Sequence, residues 1–186
     1  MTLDEAFSGL PEFGYACDVG ANDGTFNSNT LLLEERGWLV LCVEPNPLLE
    51  SAGRSCRKLW RQVACGAKDE ESKELIVVGG HPYASSTGLE LRYAGSSSTC
   101  RLSVKVRTLD RLLEESGFPR LDVLTIDVEG YEGEVLQGFS VERWKPSIIL
   151  VEDCDGLNPT EKYIPPAGYE ELGWITLDRV WKRSPE

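Results

Sequence analysis

Two acids, Asp18 and Glu44, stand where apolar runs break, and acids so placed can grip a small polar ligand. The first run, Ala16-Cys17-Asp18-Val19, gives way to Gly20-Ala21-Asn22-Asp23-Gly24; the second, Trp38-Leu39-Val40-Leu41-Cys42-Val43, stops at Glu44. Glycines at the mouth of a strand let the backbone turn sharply and let a ligand lie against the main chain. Glu44 follows Gly20 by 24 residues, near the ~20-residue spacing at which an acid meets a ribose in Rossmann-like sheets. A carboxylate accepts hydrogen bonds from both hydroxyls of such a diol. The pair predicts a site for an adenosine-containing cofactor, with Gly20, Ala21, Asn22 and Gly24 as its backbone wall.

The dinucleotide fingerprint G-x-G-x-x-G is not met, because Asn22 occupies the place of the second glycine. A pyrophosphate seeks amide N–H groups free of neighbouring carboxylates, and Asp18, Asp23 and Glu44 make this turn hostile to it. S-adenosylmethionine suits the turn better: it carries a sulfonium, an ammonium and a ribose diol, and no phosphate. In this reading Glu44 takes the diol and Asp18 faces the ammonium, directly or through water. The plain alternative makes Asp18 and Asp23 turn caps and Glu44 a solvated acid. Each is as good as the functional reading taken singly, and all three together fit the spacing less well.

A second set of acids closes the later apolar runs. Asp127 ends Val123-Leu124-Thr125-Ile126 and Glu129 lies just past it; Glu152 and Asp153 end the run from Ser147. Ligands in doubly wound sheets gather beyond the carboxyl ends of the strands, so these four acids are expected on one rim. If such a donor passes its methyl group to a hydroxyl, the transfer needs alignment and removal of the hydroxyl proton. Three roles are open to the rim acids. Asp127 or Glu129 is a general base with a crowded, raised pKa; two or three acids hold Mg²⁺; or Glu129 and Glu132 cap the following helix. Asp127 is the strongest catalytic candidate and is also expected against the cofactor. His81, the single histidine, is a candidate base by elimination only.

The stretch Leu121-Asp122-Val123-Leu124-Thr125-Ile126-Asp127-Val128-Glu129-Gly130-Tyr131-Glu132, continued by Gly133-Glu134-Val135-Leu136-Gln137-Gly138, carries a resemblance to a family. With the Asp-Val-Gly-Ala-Asn turn, Val43-Glu44-Pro45-Asn46-Pro47, Val63-Ala64-Cys65-Gly66-Ala67, Thr108-Leu109-Asp110-Arg111-Leu112-Leu113 and Gly168-Tyr169, the chain resembles the FkbM-type methyltransferases. The resemblance runs from about Tyr15 to the end of the chain. It implies a Rossmann-like class I fold, S-adenosylmethionine as donor, and a hydroxyl of a sugar or natural product as acceptor. It also implies that Pro45, Ala64 and Cys65 belong to the cofactor site. The rivals are a nicotinamide-dependent oxidoreductase, for which no Tyr-x-x-x-Lys is found, and a non-catalytic nucleoside-binding relative.

The elements that must position these residues alternate between strand and helix, which predicts an α/β, doubly wound, mostly parallel sheet with a C-terminal antiparallel hairpin. Strands are expected near 15–20, 39–44, 60–64, 123–128 and 147–152. Helices are expected near 27–36, 48–56, 109–115 and 132–137, with Pro47 at a first helical position and Asn46 as its cap. Residues 74–78 and 102–107 are expected to pair as an antiparallel excursion. The hairpin is expected over 174–177 and 180–183. The Gly- and Ser-rich stretch 79–100 has two readings of equal standing, a mobile surface loop or a lid over the methyl donor with Tyr83, Ser85 and Ser86 lining the acceptor pocket.

Composition narrows the classes. The length, 186 residues, predicts one domain spanning 1–186. A net charge of −12 argues against nucleic acid or an anionic membrane as partner. Five Trp and six Tyr without interleaved basic residues are read as core and pocket wall. Apolar runs are too short to cross a bilayer, and the acidic start is unlike a secretion signal, so a cytoplasmic location is expected. Six cysteines with no C-x-x-C and one histidine predict reduced, mostly structural thiols and no zinc, with Cys100 and Cys154 the oxidisable ones.

Overall fold

The computed structural model describes residues 1–78, 85–86, 99–153 and 160–185. Its strands are β1 (Tyr15–Val19), β2 (Leu39–Val43), β3 (Leu59–Arg61), β4 (Ala64–Cys65), β5 (Glu70–Val78), β6 (Ser85–Ser86), β7 (Thr99–Arg107), β8 (Val123–Ile126), β9 (Ile148–Glu152), β10 (Tyr169–Ile175) and β11 (Asp178–Arg183). Its α-helices are α1 (Leu3–Ala6), α2 (Leu31–Glu35), α3 (Glu50–Cys56), α4 (Leu109–Ser116), α5 (Glu132–Gln137), α6 (Val141–Trp144) and α7 (Thr160–Tyr163).

Among the described residues the strands form two sheets. The larger has seven strands in the order β10-β11-β9-β8-β1-β2-β3. Its core is parallel from β9 to β3, and β11 and β10 add antiparallel strands at one edge. The chain runs from β1 to β2 and β3 on one side, then returns to β8 and β9 on the other. The carboxyl end of β1 is therefore the switch point at which such sheets open a crevice. The smaller sheet, β4-β7-β5-β6, is built on the antiparallel pairing of β5 with β7, the excursion that the alternation of Leu102, Val104 and Val106 predicts.

The alternation of side chains divides the core into two layers. Cys17, Val19, Leu41, Val43, Leu124, Ile126, Ile149 and Val151 pack with Leu109, Leu112 and Leu113 of α4 and Val135 and Leu136 of α5. On the other face Ala16, Val40, Cys42, Val123, Ile148 and Leu150 pack with Leu33, Trp38 and Trp60. Both faces are covered, which is why these strands read as continuous apolar runs. The Thr108 hydroxyl caps α4, and Asp110 ties it to α6 by accepting from the Ser140 N–H at 2.9 Å and Trp144 Nε1 at 3.0 Å.

Several boundaries differ from the sequence expectation. Residues 27–30 are loop, and α2 starts only at Leu31. Pro47 lies in a turn before α3, where the Asn46 side chain accepts the Leu48 N–H. The strand expected over 60–64 splits: β3 stays in the large sheet, while Ala64 and Cys65 pair with Val106 and Arg107 in the small one. Residues 85–86 pair with Ile76 and Val77, and β7 starts at Thr99, so part of the expected loop is strand. His81, Tyr83 and Cys154 lie outside the described residues.

Candidate functional site

A cavity of ≈ 390 Å³ opens at the switch point. Asp18, Gly20, Ala21, Asn22, Glu44 and Pro45 line it, and so do Ala64, Cys65, Asp127 and Glu129. Gly24 does not. It turns the chain behind the cavity at φ +88°, where a Cβ would lie 2.7 Å from Arg57 Cγ.

One half of the cavity is built by β1 and β2. Their parallel register sets Val19 beside Val43, so Glu44 emerges next to the Gly20 turn. Glu44 Oε2 accepts the Asn22 N–H at 3.0 Å and Oε1 accepts the Asn46 N–H at 2.8 Å. Each oxygen keeps a second lone pair, the right inventory for a vicinal diol. Glu44 is 4% exposed, and burial pushes its pKa up to about 7 against the pull of the two amides. Val43, Val63, Ala64 and Cys65 add an apolar wall.

The loop between β1 and α2 is held by a buried cation. Arg57, just past α3, donates to the Gly24 carbonyl at 2.9 Å, Ser28 Oγ at 3.0 Å and Thr30 Oγ1 at 2.7 Å. It pairs with Glu34 at 2.6 Å and lies 3.9 Å from Asp18. Asp18 Oδ2 in turn accepts from Thr30 Oγ1 at 2.5 Å and Ser28 Oγ at 3.2 Å. Burial raises the Asp18 pKa, while Arg57 and the two hydroxyls pull it down. Asp18 thus lends the cavity negative charge, with one oxygen already committed to the loop.

The other half is the acid rim. Gly20 touches it directly: a Cβ on Gly20 would lie 1.6 Å from the Asp127 carbonyl oxygen, so only glycine fits. The Asp127 carboxyl is accessible within the cavity. Surrounding protein, followed by Glu152, Asp178 and Glu129, raises its pKa well above the carboxylate range. Asp178, at the start of β11 and paired with Glu152, is pushed up to about 6, first by burial. Asn29, which lines the cavity, donates to Asp178 at 2.7 Å. Carboxyls this crowded share protons, and a positive ligand lets them ionise. Among the described residues no three or more His, Cys, Asp or Glu are grouped to hold a metal ion.

Asp153 is a correction to the expected rim. Adjacent residues at a strand end point to opposite faces, and Asp153 is buried beside Arg179 at 3.5 Å, away from the cavity that Glu152 lines. Glu132, the first residue of α5, does not cap that helix but braces the loop before it, its Oε1 accepting the Val128 and Gly130 N–H groups at 3.2 and 3.0 Å. Glu129 instead lines the cavity with a left-handed backbone, φ +57°. Sequence reasoning missed Arg57, Asn29 and Asp178. No local pattern marks Arg57, and an acid beside a hairpin turn signals the turn rather than its neighbour across the sheet. Tyr131, known only as part of a motif, lines the cavity and receives a hydrogen bond from Lys73 of β5.

The fold and this arrangement can be compared with known proteins. Precorrin-6y C5,15-methyltransferase from Geobacter metallireducens GS-15 superposes with a TM-score of 0.52 at 12% identity, over 98% of this chain and 87% of that one. The METTL16 MTase domain gives 0.51 at 10% identity, over 99% of this chain and 65% of that one. At such identities the likeness is one of fold: the Rossmann-like methyltransferase sheet. No curated protein sequence matches the chain. The family model described as the methyltransferase FkbM domain matches residues 18–170. That span runs from Asp18 through Glu44 and the acid rim to the first residues of β10, and the chain belongs to the FkbM methyltransferase family.

Proposed function

We propose that the chain transfers the methyl group of S-adenosylmethionine to a hydroxyl of a small molecule, a sugar or a natural product. The observation that carries this reading is a single cavity with a diol-ready carboxylate, Glu44, in one half and crowded carboxyls in the other. The residues fit the donor. The volume lies within the ~300–1,000 Å³ range of ligand sites, the wall near Glu44 is apolar, and a cavity lined by the acids Asp18, Asp127 and Glu152 suits a ligand with two positive centres.

When bound, the donor supplies an already activated methyl carbon. Glu44, oriented by the Asn22 and Asn46 amides, would accept hydrogen bonds from both ribose hydroxyls. Asp18 offsets the ammonium charge. The Gly20-Ala21-Asn22 backbone, which lines the cavity, would hold the donor against the main chain. Asp127 is the base: in the ligand-free protein crowding keeps a proton on the rim, and nearby positive charge favours its ionised form. It can then take the acceptor's hydroxyl proton, with Glu129 beside it on the same rim. Alignment of donor and acceptor can supply about 7–11 kcal/mol of the rate enhancement.

Calorimetry with S-adenosylmethionine, S-adenosylhomocysteine and NAD tests the cofactor reading. The expected result is binding of the first two and none of NAD; binding of NAD alone overturns it. Transfer of a labelled methyl group to a panel of hydroxylated acceptors tests the rest. Binding without turnover of any acceptor would indicate a non-catalytic relative.

A further inference from the structure

Two large apolar side chains are held out to solvent at the mouth of the cavity. Phe26 is 50% exposed and Leu177 is 55% exposed, and both line the same cavity as Asp127 and Glu152. Their backbones are fixed. The Asp23 carboxylate accepts the N–H groups of Thr25 and Phe26, each at 2.8 Å. The Asp153 N–H donates to the Leu177 carbonyl at 3.0 Å, which clasps the two-residue turn between β10 and β11 to the end of β9. Thr176 in that turn has φ +52°, a conformation rare for a β-branched residue, found where surrounding structure enforces it. Isolated surface apolar residues need no explanation; two anchored ones beside one polar cavity do.

Charge supplies the second half of the argument. Asp127, Glu129 and Glu152 line the same cavity, in a chain of net charge −12. Bringing an anion there sets like charges together at a partly dehydrated site, a strong means of rejecting a ligand.

We propose that Phe26 and Leu177 form an apolar clamp for the methyl acceptor, which selects an uncharged hydroxylated molecule with a hydrophobic or ring face and excludes phosphorylated or carboxylated ones. This rests on the methyltransferase reading above and goes beyond it by naming the acceptor's character and the residues that select it.

The test is equilibrium binding to protein saturated with S-adenosylhomocysteine, so that no turnover is needed. The probes are phenyl β-D-glucopyranoside and its 6-phosphate, with Phe26→Ala and Leu177→Ala as variants. The expected result is that the neutral glucoside binds at least about tenfold more tightly than the phosphate. Each substitution should weaken the glucoside roughly 5–20-fold in protein kept saturated with S-adenosylhomocysteine, leaving the melting temperature unchanged because both side chains are exposed. Equal or tighter binding of the phosphate overturns the proposal, as does unchanged glucoside binding in both variants or no glucoside binding by the parent. Failure to bind S-adenosylhomocysteine would instead sink the methyltransferase reading, so the two failures are distinguishable.

Discussion

Glu44 accepts two backbone amides before any ligand arrives, and its pKa near 7 makes its protonation state decisive. Only the ionised carboxylate accepts from both hydroxyls of a diol, so affinity for S-adenosylmethionine should rise as pH increases from about 6 to about 8. Glu44→Gln should weaken binding about 10–100-fold and flatten that dependence, as read by calorimetry across the range. Asp127→Asn should abolish methyl transfer while leaving cofactor binding measurable; near-normal turnover would remove Asp127 from the mechanism. The two acids at strand ends were legible in the sequence because each follows an apolar run at a characteristic spacing. Arg57 was not, because what makes it important is a set of contacts with residues from Asp18 to Glu34 that come together only in three dimensions.

At the scale of elements, the end of α5 packs tightly on the loop that follows β4. Gly138, which ends α5, sits so close to the loop after β4 that a Cβ would lie 2.1 Å from the Gly66 carbonyl oxygen. Gly138→Ala should therefore destabilise the fold by roughly 2–4 kcal/mol, seen as a lower denaturant midpoint. The parallel strands and the hairpin were readable from apolar runs and turn residues. The division of residues 59–65 between two sheets was not, since β3 and β4 are separated by only Gln62 and Val63 and each finds a distant partner. Strand alternation does account for Asp153: once Glu152 faces the cavity, its neighbour must face the other way.

For the whole molecule, the site costs stability at neutral pH. Burial leads the rise in the pKa values of Asp18, Glu44, Glu132 and Asp178. An acid whose pKa is higher folded than unfolded binds more protons in the native state, so stability falls as pH rises between the two values. For Glu44 and Asp178 that window runs from ordinary values of 4.5 and 3.8 to about 7 and about 6. The ligand-free protein should melt several degrees higher near pH ~5.5 than near pH ~8. S-adenosylmethionine, by offsetting the charge, should raise the melting temperature more at the higher pH. The contact of Gly20 with the Asp127 main chain has a mechanical consequence. In the proposed mechanism the donor seat and the proton acceptor would ride on one stiff joint, and neither could be remodelled without disturbing the other. If the proposed clamp is right, retargeting to new acceptors is therefore best attempted at Phe26 and Leu177, which are exposed and stand apart from that joint.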